Sequence, residues 1–584
     1  MWAFVAAHFV LLAATLPDYR VSIDSGYHVS LGRYYGEHGT AWWDPINWGP
    51  RGRPNLQGPL MHVAIALLGR LLGGSGDAYV LANAILSLSQ WVAAIFTIVF
   101  FARKYGGDWP ALFAIVLFTG SALTSLSFYI GLPSGWIFIL TPWAIWFFMK
   151  GRWLIAALFV AAACYAHLGG FATAPIGIVV AAALARRWRN LIFTGAVSAA
   201  LTMPYLVHFF RHRSWYIGER GHVAGGLVTP LIYLIAIPGL IMLLRRPREN
   251  AMLVAWAFAP IAWLFQDAQR FALQWDLGGV VIAGVFLGRF ALRPIAVAAI
   301  VAVATLFPLS IPGFLPEATW AVGLRYPRMI EWEEAKRLAA IIQRDGLDRR
   351  LVYVYNHSFS PALAVYAPMS FERGHWVEVQ PRPNPANGLS AGIKTYVLPV
   401  PPDDPVLRMY EGEGLLKVHG GTSKSSVLTL TRPGDLPRVA KIVAETASRD
   451  ALWLADHAVN NRLEPIGDLF SPDAIAARRA QRLEQRTHAG RIAVAAVVYA
   501  YALEPQHPEQ ARGSRDSVRA YSSIAAFLSD EWSLDFVNEQ RHDRLRANFR
   551  RFGIAVGKLG QHVVPFEELS QATDALFDDY FWAA

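Results

Sequence analysis

Asp18–His62 reads DYRVSIDSGYHVSLGRYYGEHGTAWWDPINWGPRGRPNLQGPLMH. It follows directly on the apolar segment Trp2–Leu16. The stretch is polar, rich in Gly, Pro, Trp and Tyr, and carries the carboxylates Asp18, Asp24 and Asp44. Loops between packed helices are short, so a long loop directly after a first helix marks a working surface. Its acids stand at a membrane boundary, where a lipid-borne substrate presents its head group.

Outward from this loop the composition sets the class. Of 584 residues, 54% are hydrophobic and 16% charged, with a mean hydropathy of +0.31. Apolar runs broken by short basic or Gly/Pro segments fill the chain to about Pro312. After Pro316 the composition is that of a soluble protein. These features predict a polytopic α-helical membrane protein with a C-terminal soluble α/β plus helical region. The expected division is a membrane domain over 1–315, with a first extracytoplasmic loop over 17–77, an α/β domain over 316–435 and a helical domain over 436–584.

The apolar runs are 2–16, 78–101, 110–130, 133–149, 153–167, 170–185, 190–209, 227–244, 251–265, 277–290 and 294–312. They predict about eleven membrane spans. The segment 59–73, interrupted by Arg70, reads instead as a helix lying at the interface. The start lacks a basic region and a small-residue cleavage site, so the first helix is expected to be retained. With a cytoplasmic N-terminus, the inner connections FARKYGGDW, MKGRW, ARRWRN, RRPREN and LGRFALRP are all basic. The outer connections GLPSG and HLGG carry no cation. This is the charge bias of a multi-pass membrane protein, and it places the C-terminal region outside.

The net charge of +10 resides largely in arginines at the ends of apolar runs. No basic run with interleaved aromatics points to nucleic acid. Cys164, the single cysteine, excludes an internal disulfide and a cysteine-based metal site.

Several arginines break the charge rule. The outer segment FFRHRSWYIGERGHVAGG holds Arg211, Arg213 and Arg220, and FQDAQRFALQWD holds Arg270 beside Gln269 and Asp267. They are either solvated loop cations or the holders of an anionic group. A guanidinium suits phosphate through its fork and permanent charge.

The first loop also resembles a known family. The carriers of the resemblance are DSGYH (24–28), YYGEHG (34–39), DPINWGPRGRPNLQGPLMH (44–62) and FARKYGG (101–107). The G-R-P…P-L-x-H stretch from Gly52 to His62 is the most specific part. Together they resemble the GT-C superfamily of membrane glycosyltransferases, which includes oligosaccharyltransferase subunits, protein mannosyltransferases and lipid A aminoarabinose transferases. The resemblance implies transfer of a sugar, with inversion, from a polyprenyl phosphate or diphosphate carrier to a protein, lipid or glycan acceptor. It places the catalytic or metal-binding acid at Asp24, with Asp18 as the other candidate. The spacing Asp18–Asp24 departs from a tight D-x-D. An acceptor-recognition W-W-D is absent from the tail, and AWWDP (41–45) lies in the first loop.

Inverting transfer requires a carboxylate to accept the proton of the incoming hydroxyl and cations to hold the departing phosphate. Asp24 with Arg270, Arg211 and Arg213 supplies that set. Mg²⁺ or Mn²⁺ held by Asp24 and Asp18 is compatible with such hard oxygen ligands, to which Asp44 and Asp267 are further candidates; ordinary helix and turn capping is the alternative. His28 lies one helical turn after Asp24, and His62 closes the motif. Both are either substrate contacts or hydrogen-bonded packing residues. Trp42, Trp43 and Trp48 are either sugar-stacking surfaces or interfacial anchors, and Gln269 is a further candidate contact.

In the tail, Glu331–Asp345 predicts an amphipathic helix, and strands are expected at Leu351–Tyr355, Thr395–Val400, Leu415–His419 and Ser426–Leu430. Two other readings remain, a polytopic lipid or solute transporter and a non-catalytic membrane scaffold. The near-absence of charge within the spans disfavours translocation.

Overall fold

A computed structural model describes residues 6, 10, 25–40, 42–47, 49, 51–120, 133–216, 230–265, 268–289, 332–355, 359–372, 392–431, 435–457, 472–505 and 539–558. The described chain is mostly helical and falls into two compact units. One takes the described residues from 25 to 43 and from 54 to 289. The other takes 44–53 and the described residues from 332 onward.

The first unit opens with α1 (Ser25–His38) and α2 (Leu60–Leu71), and the chain between these helices forms a two-stranded ribbon, β1 (Trp43–Asp44) with β2 (Arg53–Pro54). Tyr27, Leu31 and Tyr35 recur at helical spacing on α1 and pack on Ala66 and Val63 of α2. Glycine permits the close crossing. A Cβ at Gly32 of α1 would lie 2.5 Å from the Ile65 side chain of α2. At 12 residues, α2 extends about 18 Å, well short of a bilayer.

Then follow α3 (Gly76–Gly106), α4 (Asp108–Gly120), α5 (Pro133–Met149), α6 (Trp153–Ala166), α7 (Gly170–Ala185), α8 (Trp188–Arg211), α9 (Pro230–Leu244), α10 (Ala251–Phe258) and α11 (Ala268–Arg289). The side chain of Ser75 accepts the amide of Ala78 at 3.2 Å and caps α3. Proline lies inside α5, α7, α8 and α9, at Pro142, Pro175, Pro204 and Pro238. Helix interiors in water seldom tolerate this, whereas neighbouring helices compensate for it in bilayers.

Among the described residues only α3 and α8 are long and apolar enough to cross a membrane, fewer than the eleven expected spans. The other apolar helical segments, among them Pro133–Met149, Gly170–Ala185 and Leu277–Arg289, have 10–17 residues. Gly151 and Gly169 lie in the short connections between α5, α6 and α7. The runs 2–16 and 294–312, and the second half of 110–130, lie outside the described residues. The outward flanks of the unit are apolar: Leu234 is 71% exposed, Ile192 69%, Phe210 61% and Phe96 56%. In the second unit the only exposed large apolar side chains among the described residues are Leu452, Leu483 and Ile554. A surface of this kind is matched to lipid rather than water.

The second unit holds a four-stranded sheet of β3 (Val352–Val354), β4 (Thr395–Leu398), β5 (Leu416–Gly421) and β6 (Ser426–Leu430), in the order β3-β4-β6-β5. β3 and β4 are parallel, and the remaining pairs are antiparallel. The amphipathic helix is α12 (Trp332–Arg344), which buries Trp332, Ala335, Leu338, Ala339 and Ile342. Later come α13 (Ser360–Ala364), α14 (Pro405–Gly412), α15 (Leu436–His457), α16 (Pro472–Leu503) and α17 (Glu539–Lys558). One core joins sheet and helices through Leu398, Leu428, Val443, Leu454, Ile492 and Phe552.

The segment 44–53 of the first loop belongs to this second unit. The Asp44 carboxylate is fully buried and its oxygens are occupied. Oδ1 accepts the amides of Ile46 and Asn47 at 3.0 and 3.2 Å. Oδ2 accepts Asn47 Nδ2 at 2.8 Å and Arg53 Nε at 3.1 Å. Asp44 is therefore a turn and ion-pair residue, not a metal ligand. The amide of Phe371 donates to Ile46 O at 2.8 Å, the amide of Gly49 donates to Phe371 O at 2.7 Å, and Ser370 Oγ donates to Pro45 O at 2.8 Å.

Removing one member of a buried ion pair costs about 3–5 kcal/mol. Asp44→Ala is expected to speed amide exchange at Gly49 and Phe371 by roughly a hundredfold or more. Hydrogen-exchange mass spectrometry of the detergent-solubilised chain reads this directly, and unchanged protection would contradict the role given to the pair.

Candidate active site

The centre of the first unit's polar region is Asn55, buried to 2% exposure. Its amide donates to Trp42 O at 2.8 Å. Its side-chain Nδ2 donates to the Tyr35 hydroxyl at 2.6 Å, and its Oδ1 accepts from Gln57 N at 3.1 Å and from the Tyr27 hydroxyl at 3.4 Å. Its carbonyl accepts from His208 Nε2 at 3.0 Å. That bond places the proton of a neutral His208 ring on Nε2.

The neighbouring loop carbonyl is held as well: Tyr205 donates its hydroxyl to Leu56 O at 2.6 Å. Gly58 then passes so close to α6 that a Cβ there would lie 2.3 Å from Tyr165 O. Only glycine fits that approach. The stretch from Asn55 to Gly58 is thus threaded between α6 and α8.

His28 on α1 and His62 on α2 come together, Nδ1 to Nε2, at 2.9 Å. Both are buried, and the rings of Tyr27 and Tyr35 approach His62 edge-on at 5.8 and 5.7 Å. One nitrogen must donate and the other accept, so the two rings share a single bridging proton. Burial, then the neighbouring His28, holds the pKa of His62 well below the ordinary 6.5. His62 lies on α2, outside the spans, and is neutral in the folded protein. Its Nδ1 has no hydrogen-bond partner among the described residues.

Beyond Asn55 the polar line continues along α8. Tyr205, His208 and His212 are spaced to share one helix face. Trp42 stacks over His208 at 4.9 Å and Tyr205 at 6.0 Å, and His208 and His212 lie 4.7 Å apart. Trp43 is 40% exposed and meets the rings of His212 and Trp215 edge-on at 6.3 and 6.1 Å. Arg211 and Arg213 flank His212 and are exposed. Neither pairs with a carboxylate among the described residues.

Of the residues singled out in the sequence, the structure therefore brings His28 against His62, and gathers Trp43, Arg211 and Arg213 around the end of α8. Gln269 and Arg270 fall in the first turn of α11. Asp18, Asp24, Trp48, Arg220 and Asp267 lie outside the described residues. Asn55 and Tyr205 enter the site without having been assigned a role. The signal that finds them is the polar stripe at 205, 208 and 212 on an otherwise apolar helix. Among the described residues no three His, Cys, Asp or Glu side chains gather as metal ligands.

No family model matches the chain, and no curated protein matches it. Three similar solved structures are as follows. ArnT from Cupriavidus metallidurans, bound to undecaprenyl phosphate, has a TM-score of 0.48 at 16% identity, covering 73% of this chain and 97% of that one. The Archaeoglobus fulgidus oligosaccharyltransferase in its apo form has a TM-score of 0.48 at 13% identity, covering 67% of this chain and 69% of that one. AglB from Archaeoglobus fulgidus, in complex with an inhibitory peptide and a dolichol-phosphate, has a TM-score of 0.46 at 13% identity, covering 68% and 70%.

Proposed function

We propose that the protein is an integral membrane glycosyltransferase. It moves a sugar from a polyprenyl phosphate or diphosphate carrier to a protein, lipid or glycan acceptor at the extracytoplasmic face, with inversion at the anomeric carbon. The observation that carries this reading is the buried His28–His62 and Asn55 network in the first loop. A loop that served only as a connection would leave such groups in water. Here they are desolvated and, His62 Nδ1 apart, matched, which is how a binding surface is made rigid.

In the proposed reaction Asp24 accepts the proton of the acceptor hydroxyl as its oxygen attacks the anomeric carbon. Asp18 is the second candidate for that role. The carbon–oxygen bond to the carrier breaks, and the phosphate departs as an anion stabilised by Arg270, with Arg211 and Arg213 assisting. A phosphate leaving group needs no strong general acid. His28 and His62 position the substrate, Trp43 offers a ring face to the sugar, and Gln269 hydrogen-bonds the donor. Asp24 and Asp18 are the residues that would hold Mg²⁺ or Mn²⁺, if the reaction uses one. The N-terminus is assigned to the cytoplasm and the second unit to the outer side.

Asp24→Asn is expected to abolish sugar transfer from a panel of polyprenyl-phosphate and polyprenyl-diphosphate sugars, while the purified chain stays folded in detergent. Full transfer by the variant removes Asp24 from the mechanism. Arg270→Ala is expected to raise the donor KM about tenfold or more, given the strength of charged hydrogen bonds; an unchanged KM rules out its phosphate role.

His62 gives a pH prediction. Its folded pKa lies below the unfolded 6.5. The stability it contributes is therefore complete above that value and is lost as the pH falls below it. Thermal melts from pH 8 to 5 are expected to decline more steeply for the native chain than for His62→Gln. Equal slopes would show that the ring is not held neutral.

A further inference from the structure

The end of the first unit carrying the turns α5–α6 and α7–α8 bears Lys150, Arg152, Arg186, Arg187 and Arg189. From Trp109 to Gly218 the chain contains no Asp or Glu, so α5 to α8 offer these cations no carboxylate. Nor do they form an ion pair with any other described residue.

The cations are braced by uncharged groups. Arg187 Nη1 lies 3.5 Å from Phe148 O, which ties the two turns together. The Lys150 ammonium sits 4.7 Å over the ring of Trp146, and the Arg189 guanidinium 5.5 Å over Phe193. Arg186 adopts a left-handed backbone at φ 55°, the one non-glycine residue to do so among the described residues. Such strain persists only where the surroundings enforce it.

Directly along the same helices the surface becomes apolar. α6 and α8 run side by side, with Thr194 Oγ1 donating to Trp153 O at 3.3 Å and the rings of Trp153 and Phe193 at 5.4 Å. Their outward flanks present Leu154 and Leu158, 50% and 52% exposed, beside Ile192 at 69%. Trp188, 54% exposed, stands at the border between cations and apolar flank. An ordinary inner loop of a membrane protein has solvated cations and nothing more. This surface pairs a fixed, unneutralised cationic rim with an adjoining lipophilic face.

We propose that this surface is a binding site for an anionic phospholipid of the adjacent leaflet. Arg152, Arg187 and Arg189 take its phosphate, and its acyl chains lie on Leu154, Leu158 and Ile192. Guanidinium groups match phosphate oxygens in pairs, and the absence of acids leaves their charge uncompensated until the lipid arrives. The site rests on the membrane placement of the proposed function but is independent of its chemistry.

The test uses the full chain in nanodiscs made from equal parts phosphatidylglycerol and phosphatidylcholine, then released into mild detergent for native mass spectrometry. Retained phosphatidylglycerol is expected to exceed phosphatidylcholine roughly tenfold. The triple variant Arg152→Gln, Arg187→Gln, Arg189→Gln is expected to lose that preference while remaining in the membrane after carbonate extraction. Equal retention of the two lipids by the native chain overturns the site, and that arm needs no variant. Undiminished preference in the triple variant, or capture of inorganic phosphate in place of lipid, also overturns it. A chain that carbonate strips from membranes defeats the membrane reading itself, an outcome distinct from insertion without lipid preference.

Discussion

Asn55 is the point on which the first loop depends. A polar chain segment can leave water only if its donors and acceptors find partners, because an unmatched buried group costs about 1–3 kcal/mol. Asn55 meets this demand with its amide, carbonyl and both side-chain ends, drawing Trp42, Tyr27, Tyr35, Gln57 and His208 to one place. These partners come from α1, from both sides of the ribbon and from α8. The loop is fixed as a consequence, and with it the relation of His28 to His62. The side chains that would face a substrate are positioned by groups whose own geometry is already determined.

The helices around this loop follow a different economy. They carry few charges, expose aliphatic side chains outward and tolerate internal prolines. In water each of these is a liability. In a hydrocarbon surrounding the exposed side chains are solvated by lipid, and proline-freed carbonyls are shielded by neighbouring helices. The second unit obeys the usual rule, with a sheet and helices sharing one apolar core and few large apolar side chains outside. One chain thus answers to two solvents, and the change of composition near Pro316 is the trace of that in the sequence.

Much of this is readable from local pattern. The stripe Tyr27, Leu31, Tyr35, the amphipathic helix α12 and the strand β6 follow from spacing alone, since their partners are set by period. The apolar runs of the first unit likewise become helices, and those over 133–149, 153–167 and 170–185 keep their expected bounds to within a residue. The Asn55 network was not legible. Tyr205 and His208 lie 149 and 153 residues from the groups they bind, and no local period encodes a contact of that range. Asp44 shows the converse: its letters suit a metal ligand as well as a turn, and only the positions of Asn47 and Arg53 decide between them. The acids at Asp24 and Asp18 keep the weight given to them by sequence and resemblance.

The assignment of 44–53 to the second unit has a temporal consequence. Pro45 emerges 325 residues before Ser370, the side chain that will bind it. At ordinary translation speed that interval is on the order of half a minute. During it the ten-residue segment has none of its partners around Ser370 and Phe371. The Asp44–Arg53 bridge closes within the segment itself, so it can form at once and hold the shape in reserve. Packing of 44–53 therefore finishes late, when the C-terminal half has been made, and a ribosome that stalls before Phe371 leaves that segment without its partners.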